Sequence, residues 1–293
     1  MCAPSVIAAA LAGMSRRDAL HFTAGVVAGA VACTSCAAGS CGASDGAPVD
    51  PPLPGVPGAK RTIAADNILD LTHTLSPTFP IWPGNEPIEI TNKSTFAKNG
   101  FYANRWDIGE HHGTHLDSPS HCSATGITAE KIDPASFVAP AAVIDIRERV
   151  KTDTDAAVTI DDLKTWEKAH GRLPKGCAVC LNSGWDARAG DAKAFLGLDA
   201  GGALHFPGFS KAAAEFLLTE RDVAGLLVDT LSIDTGAATD FGVHKVWLGA
   251  GKWAVECVAN LGKVPPSGAT VFVGAPKVQG ASGGPTRVLA LWG

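Results

Sequence analysis

The segment HHGTHLDSPSHC, His111–Cys122, carries four of the nine histidines of the 293-residue chain, together with an aspartate. Its backbone conformation decides which of these side chains can meet. Gly113 and Pro119 disfavour a helix, because glycine and proline both destabilise helix interiors. The segment is therefore predicted to be extended and to lead into a loop, with alternate side chains on opposite sides.

On such a segment His111, His115 and Asp117 share one side, whereas His112 and Leu116 face away. Two imidazoles and a carboxylate match the ligand sets of zinc, manganese and iron(II). Burying these groups together would be costly without a cation to organise them. We expect a divalent metal site at His111, His115 and Asp117, and a solvent-exposed or supporting position for His112.

Three further polar side chains lie within or directly after this segment. His121 has the same parity as the predicted ligands but follows Pro119. The hydroxyl groups of Thr114 and Ser120 leave two interpretations open: a hydrogen bond to a ligand or substrate, or local bonding within the turn.

The composition is that of a globular protein, with 46% hydrophobic and 18% charged residues, a net charge of -5 and a pI near 6.0. No run of lysine or arginine is longer than two. This disfavours nucleic-acid binding, because phosphate neutralisation needs clustered cations. The sequence also has no P-loop and no glycine-rich dinucleotide motif after a predicted strand.

The N-terminal region resembles an export signal. Arg16 and Arg17 precede an apolar stretch, Phe22–Cys33, that is shorter than the roughly 20 residues of a membrane-spanning helix. SRRDAL is similar to a twin-arginine signal, with Ala19 in place of the usual phenylalanine. The alternative is a disordered tail with a chance arginine pair. AVAC weakly resembles a lipoprotein cleavage box, which would place a lipid anchor at Cys33.

We therefore predict three segments. Residues 1–41 form the export signal, and residues 42–61, rich in proline, glycine and alanine, form a linker. The folded domain spans residues 62–293. The mature protein is expected to be periplasmic or exported and to contain no stable transmembrane segment.

Strand and helix patterns alternate along this domain without the regular repeat of a doubly wound fold. Helices are predicted after Thr159, with Asp162 three residues later, and after Ser210. Apolar, β-branched runs predict buried strands, and these are Ile68–Leu71, Phe137–Ile146, Val223–Val228, CAVCLNSG, KWAVECVANL, TVFVGAPKV and TRVLAL. The predicted fold is a mixed α/β domain with a barrel-like sheet core and flanking helices.

Cys177 and Cys180 form a C-x-x-C pattern, which is also found in redox and metal sites. Residues three apart on a strand point to opposite faces. Because GCAVCLNSGW has the composition of a buried strand, we expect both cysteines to pack in the core.

The chain resembles a known family at several places. HHGTHLDSPSH fits H-x-G-T-H-x-D-x-P-x-H, the signature of the metal-dependent cyclase-like hydrolases, which include bacterial kynurenine formamidase and isatin hydrolase. Six more segments are similar to the family in the same order: DLTHTLSPTFPIWPG, SGWDARAGDAKAFLG, HFPGFSKAAAEFL, GLLVDTLSID, HKVWLGAGKWAVECVANL and GAPKVQGASGGPTRVLAL. The resemblance covers roughly residue 68 to the C-terminus.

The resemblance implies that His111, His115 and Asp117 bind metal, and that His244 and Glu256 complete the site. In family members with two ions, the aspartate bridges them. Taken from the residues alone, His244 and Glu256 are equally consistent with a surface or capping pair.

The resemblance also implies proton transfer by His121, a swivelling β/β/α fold, and a homodimer or dimer of dimers. The role suits His121, because the ordinary pKa of histidine lies near neutral pH. Phe79, Trp82 and Trp185 are candidate walls of a substrate pocket, although aromatic residues are more often core. Trp253 departs from the aliphatic residues usual in the family, and it either shapes the pocket or packs.

The predicted activity is hydrolysis of a carbon–nitrogen bond in a cyclic amide or an N-formyl or N-acyl compound. One or two divalent ions, zinc or manganese, would lower the pKa of bound water from about 15.7 toward about 7. Lactone hydrolysis with the same ions and a non-catalytic periplasmic metal-binding protein are the alternatives. Twin-arginine export carries folded proteins, so it favours manganese or iron loaded in the cytoplasm over zinc.

Overall fold

The structure of the protein is a computed structural model that describes Ile63 and residues 65–293. The predicted export signal, the linker and the lipidation site at Cys33 lie outside the described residues. No helix in the part of the chain that is described has both the length and the apolar character needed to cross a bilayer.

The described residues form thirteen strands and six α-helices. The strands are β1 (Asn67–Asp70), β2 (Glu89–Ser94), β3 (Ala103–Asp107), β4 (His115–Asp117), β5 (Val138–Asp145), β6 (Ala157–Val158), β7 (Cys177–Asn182), β8 (Gly208–Phe209), β9 (Val223–Val228), β10 (Trp253–Glu256), β11 (Thr270–Gly274), β12 (Gly283–Pro285) and β13 (Arg287–Trp292). The helices are α1 (Phe96–Asn99), α2 (Arg147–Val150), α3 (Ile160–His170), α4 (Ala192–Leu196), α5 (Lys211–Glu220) and α6 (Gly242–Gly249).

Two compact units divide the chain. Thr91–Arg105 belongs to one unit and contains helix α1. Strands β2 and β3 pair as a two-stranded sheet. Thr62–Ile90 and Trp106–Gly293 belong to the other unit, which contains every candidate site residue.

Nine of the described strands form one mixed sheet in the order β1-β13-β11-β5-β7-β9-β10-β4-β12. The neighbours β5, β7, β9 and β10 run parallel, and antiparallel strands extend the sheet on both sides. Parallel strands need crossover connections, and α3 and α5 lie in two of them. The mixed α/β architecture predicted from the sequence is confirmed.

Both faces of the central strands β7, β9 and β10 are buried, which explains their continuous apolar runs. Cys177 packs into the core on one face and Cys180 into the core on the other. Both are free thiols, and burial raises the pKa of Cys177 to about 12. The prediction that these cysteines are core residues is therefore confirmed.

The helix boundaries follow the predicted caps. The side chain of Thr159 accepts the backbone N–H of Asp162, and the Asp162 carboxylate accepts the backbone N–H of Thr159, so the N-terminal donors of α3 are satisfied. Ser210 caps α5 in the same way through Ala213 N–H. These caps fix where each helix begins after its strand.

Candidate metal centre and active site

Strand β4 carries the histidine-rich motif into the sheet between β10 and β12. In the register of this ladder, Glu256 of β10 lies directly opposite His115, and Ala254 lies opposite Asp117. The intervening Leu116 packs into the apolar core, because successive strand side chains alternate. The sheet therefore brings Glu256 to the motif from 141 positions later in the chain.

The predicted ligands of the first motif converge. His111 Nδ1 lies 2.6 Å from Asp117 Oδ1. His115 Nε2 lies 3.3 Å from the same oxygen and 3.4 Å from Glu256 Oε2. His115, Asp117 and Glu256 are all buried.

Helix α6 adds His244 from the other side of Asp117. His244 Nε2 lies 3.2 Å from Glu256 Oε1 and 3.7 Å from Asp117 Oδ2. In the described part of the chain, two groups place their ligand atoms within 4.8 Å of one another: His111 with His115 and Asp117, and Asp117 with His244 and Glu256. Asp117 belongs to both groups.

Hydrogen bonds behind two of the imidazoles show which nitrogen faces the cluster. His115 Nδ1 lies 2.8 Å from the Gly113 carbonyl oxygen, and His244 Nδ1 lies 2.7 Å from Asp234 Oδ2. Because a carbonyl and a carboxylate accept, each Nδ1 carries the hydrogen and a neutral ring presents its Nε2 lone pair to the cluster. Asp234 also accepts the backbone N–H of His244 at 3.1 Å.

The cluster contains buried polar atoms that the protein does not satisfy. His115 Nε2 and Asp117 Oδ2 have no hydrogen-bond partner, although other polar atoms lie within 4 Å of each. Such orphaned atoms are costly in the interior. Imidazole nitrogens and carboxylate oxygens around a shared centre are the donor set of a divalent transition metal, so the residues present fit such an ion.

The electrostatics of the cluster favour added positive charge. Burial alone would lower the pKa of His115, but Asp117 and Glu256 outweigh it and raise this pKa to about 10. Burial would raise the pKa of Asp117, but His115 and the other imidazoles hold it well below its ordinary value. Metal ions compete with protons for such ligands, and the carboxylates of Asp117 and Glu256 attract both kinds of cation.

His121 stands beside the cluster at the end of a 3₁₀ turn, Pro119–His121. Its ring stacks on that of His111 with centroids 3.8 Å apart and lies 5.8 Å from that of His244. Burial of part of the ring lowers the pKa of His121, although Asp117 opposes this effect. His121 is outside both candidate ligand groups.

The remaining polar residues of the motif have structural partners. His112 is buried rather than exposed to solvent, and its Nδ1 accepts the Gly109 backbone N–H at 3.0 Å, so it supports the turn before the ligands. Thr114 Oγ1 donates to the Cys257 carbonyl. The Ser120 hydroxyl lies 2.8 Å from that of Ser118. The local interpretation is correct for Ser120, whereas Thr114 bonds the distant backbone groups of Cys257 and His73.

A cavity of about 260 Å³ opens onto this cluster. Trp82 and Phe241 line it, with their rings 5.8 Å apart. Phe241 has a φ of 49°, a left-handed conformation that is uncommon for a non-glycine residue. The other lining residues are Asn85, His111, His115, His121, Leu231, Ser232, His244 and Glu256.

Of the three candidate aromatic walls, Trp82 lines the cavity and the other two pack in the core. Phe79 is buried in the core against Phe195. Trp185 is also buried there, and its indole N–H donates to the Phe195 carbonyl at 2.7 Å. Trp253 packs as well, because its ring contacts Phe137 and covers Gly225. Trp82 alone of these four residues lines the cavity.

Asp234 and Phe241 are functional candidates that were not predicted from the sequence. Asp234 lies ten positions before His244, and a carboxylate near a candidate histidine ligand is the available signal, because metal-bound histidines commonly donate to one. Phe241 directly precedes α6, and its sequence context gives no such signal.

Comparison with known proteins places the chain in a family. The model of the family described as "Putative cyclase" matches residues 69–235, more than half of the chain. The chain belongs to the cyclase family. The isatin hydrolase of Roseibium aggregatum is 33% identical over 252 residues, which cover 80% of this chain and 95% of that protein.

Two further relatives fit the same assignment. The solved structure of isatin hydrolase A from Ralstonia solanacearum has a TM-score of 0.74 and 37% identity, covering 78% of this chain and 92% of its own. The kynurenine formamidase of Geobacillus thermodenitrificans is 29% identical over 94 residues, 32% of this chain and 45% of that protein. This cyclase-family chain is a metal-dependent hydrolase of carbon–nitrogen bonds other than peptide bonds.

Proposed function

We propose that the protein hydrolyses the C–N bond of a small cyclic amide of the isatin type, opening the ring to an amino acid. The observation that carries this proposal is the position of the buried His/Asp/Glu cluster at a cavity walled by Trp82 and Phe241. The cavity is at the small end of ligand pockets, which suits a compact planar ring. The similarity to isatin hydrolases over most of the chain supports the same substrate class.

The site residues divide into two ligand groups that share Asp117. We propose that His111, His115 and Asp117 hold one divalent ion, and that Asp117, His244 and Glu256 provide a second position. The chemistry that a divalent ion supplies in such a site is activation of water and stabilisation of developing charge on the carbonyl oxygen.

His121 is proposed to move the proton. Its pKa is lowered, so the ring is neutral at neutral pH and accepts a proton from the attacking water. It then donates that proton to the departing nitrogen, because an amide anion is a very poor leaving group. Its stacking on His111 and its place in the cavity lining keep it beside the reacting bond.

An N-formyl substrate is the second candidate, because the kynurenine formamidase relatives match the chain in part. The experiment is a hydrolysis screen of metal-loaded protein over isatin, N-formylkynurenine and an aromatic lactone. Isatin is expected to be the best of the three. A preference for N-formylkynurenine would move the assignment to formamidase, and a preference for the lactone would contradict C–N hydrolysis as the main activity.

Several finer features are also part of the proposal. The chain is exported by the twin-arginine route, with or without lipidation at Cys33, and it holds manganese or iron rather than zinc. Elemental analysis of protein isolated from the periplasm checks the export route and the metal, since zinc in the protein or its retention in the cytoplasm would contradict these proposals.

The protein is proposed to be a homodimer or dimer of dimers, which light scattering after size-exclusion chromatography checks.

A further inference from the structure

His111 differs from the other two imidazoles of the cluster in the nitrogen that it turns away from the centre. His115 and His244 both turn Nδ1 outward, to the Gly113 carbonyl and to Asp234. His111 turns Nε2 outward, and this atom lies 2.9 Å from the Ser282 hydroxyl. Its Nδ1 faces Asp117.

The Ser282 hydroxyl connects His111 to a carboxylate. Ser282 Oγ lies 2.5 Å from Glu110 Oε2, and the Ser282 backbone N–H donates to the same oxygen at 3.0 Å. A carboxylate can only accept, so the hydroxyl hydrogen of Ser282 lies on the bond to Glu110. The Ser282 oxygen is then left to accept, and His111 Nε2 is the donor.

We infer that Glu110 and Ser282 are positioning residues: they form a relay that fixes His111 as the Nε2–H tautomer and holds its Nδ1 lone pair toward the metal. This inference rests on the proposed metal centre. Hydrogen bonds behind a ligand fix its tautomer and orientation and raise its basicity. Asp234 does this directly for His244, whereas Glu110 acts on His111 through one hydroxyl.

The backbone around Ser282 is shaped for this contact. Ser282 O accepts both the backbone N–H and the hydroxyl of Ser118, at 2.9 and 2.8 Å, which ties the serine to the end of the motif. A Cβ at Gly283 would lie 2.2 Å from the Leu116 carbonyl oxygen and 2.8 Å from His111 Cε1. Glycine therefore allows strand β12 to approach the His111 ring closely.

The relay also bears on His121, because the His121 ring lies against the same His111 ring, with the two centroids 3.8 Å apart. A His111 ring that flips about χ2 would turn Nδ1 away from Asp117, and a ring that tilts would also change its contact with His121. Variants of the relay are therefore expected to weaken metal binding first and turnover as a consequence.

The test uses zinc as a diamagnetic probe in the full chain. Long-range ¹H–¹⁵N spectra of the zinc-loaded wild type are expected to show His111 protonated at Nε2 and bound to zinc through Nδ1. In Ser282→Ala, the His111 ring is expected no longer to show the Nε2–H tautomer alone in these spectra. The variant is also expected to bind zinc about 10- to 100-fold more weakly in chelator competition. Ser282→Thr keeps the hydroxyl and is expected to restore both, and Glu110→Gln should give a smaller loss.

Ser123→Ala and Glu148→Gln are matched controls, because the half-buried Ser123 hydroxyl bonds Thr125 and the exposed Glu148 carboxylate bonds Lys151. They should leave the spectrum and the zinc affinity unchanged. A Ser282→Ala protein with the wild-type His111 signature and affinity would overturn the inference, and so would zinc bound through His111 Nε2. Neither readout needs turnover, so failure of the proposed substrate and failure of the relay are separate results.

Discussion

Asp117 and Asp229 are both fully buried carboxylates at strand ends, yet their surroundings differ. Asp117 faces three imidazoles and Glu256, and its Oδ2 has no hydrogen-bond partner. Asp229 accepts Ser183 N–H and the Ser183 hydroxyl at 2.9 and 2.5 Å, and Trp185 N–H at 3.2 Å.

The pKa values of the two carboxyl groups move in opposite directions. Burial raises the pKa of Asp229 to about 7, whereas the imidazoles hold the pKa of Asp117 well below its ordinary value despite burial. Burial by itself therefore does not identify a functional carboxylate. The distinguishing features are an unsatisfied oxygen and neighbouring ligand atoms that require a cation.

The largest expected effect comes from Asp117→Asn. The substitution replaces the carboxylate common to both ligand groups with a neutral amide, so we expect loss of bound metal and a fall in kcat of about 10³-fold or more. Metal analysis and steady-state kinetics check this. Asp229→Asn is the matched buried substitution and should retain metal, and equal metal loss in both variants would break the contrast between the two aspartates.

His121→Ala separates catalysis from metal binding. We expect wild-type metal content with a kcat about 10² to 10⁴ times lower on a cyclic amide, because the departing nitrogen loses its proton donor. The loss on a lactone should be smaller, since an alkoxide leaves more readily than an amide anion. Metal content is measured by elemental analysis, and unchanged amide turnover would remove His121 from the mechanism.

Asp234→Ala tests the carboxylate behind His244. Without the bond to Nδ1, the ring loses its fixed tautomer, and we expect metal affinity to fall about 10- to 100-fold. Asp240→Ala is the control, because Asp240 accepts only the Gly242 N–H near the same helix. Chelator competition on both variants measures the difference, and equal affinities would contradict the role of Asp234.

The contribution of Asp229 to the free energy of unfolding depends on pH. Its folded-state pKa is raised above the unfolded value, so its protonated form stabilises the fold at low pH and this contribution is lost as pH rises through about 7. Between pH 5 and pH 8 the loss is expected to be about 1–3 kcal/mol. Urea unfolding of wild type and Asp229→Asn checks this, and the variant should lack the decline.

The smallest effect is expected at a half-buried His–Asp pair. His205 Nδ1 lies 2.6 Å from Asp155 Oδ2, and this bond, followed by the charge of Asp155, raises the pKa of His205. The pair therefore stabilises the fold below the ordinary pKa of histidine, and the contribution disappears as pH rises through the raised value. His205→Gln should lower the unfolding midpoint slightly at pH 6 and leave it unchanged at pH 9.

Local signals in the sequence predicted much of the fold. The capping pair Thr159 and Asp162 and the apolar runs of β5, β7 and β9 depend on residues close in the chain. They were therefore visible without tertiary information. The parity of His115 and Asp117 predicted that they share one side for the same reason, since both lie on the extended strand β4. His111 lies in a turn before β4, so its approach to Asp117 does not follow from strand parity.

The remaining features depend on contacts between distant segments. The position of Glu256 opposite His115 follows from strand pairing, and only the family resemblance indicated it. Whether an aromatic residue lines a cavity or packs in the core is decided by its neighbours in space. The sequence therefore left both interpretations open for Phe79, Trp82 and Trp185, and only Trp82 lines the cavity. Asp234 acts through His244, and spacing alone does not predict that bond.

The most direct test is anomalous X-ray diffraction from crystals of the protein grown with manganese. An anomalous peak is expected within bonding distance of His115 Nε2 and Asp117, and any second peak should lie between Asp117, His244 and Glu256. Ordered manganese bound elsewhere, with this cluster empty at saturating metal, would contradict the central claim.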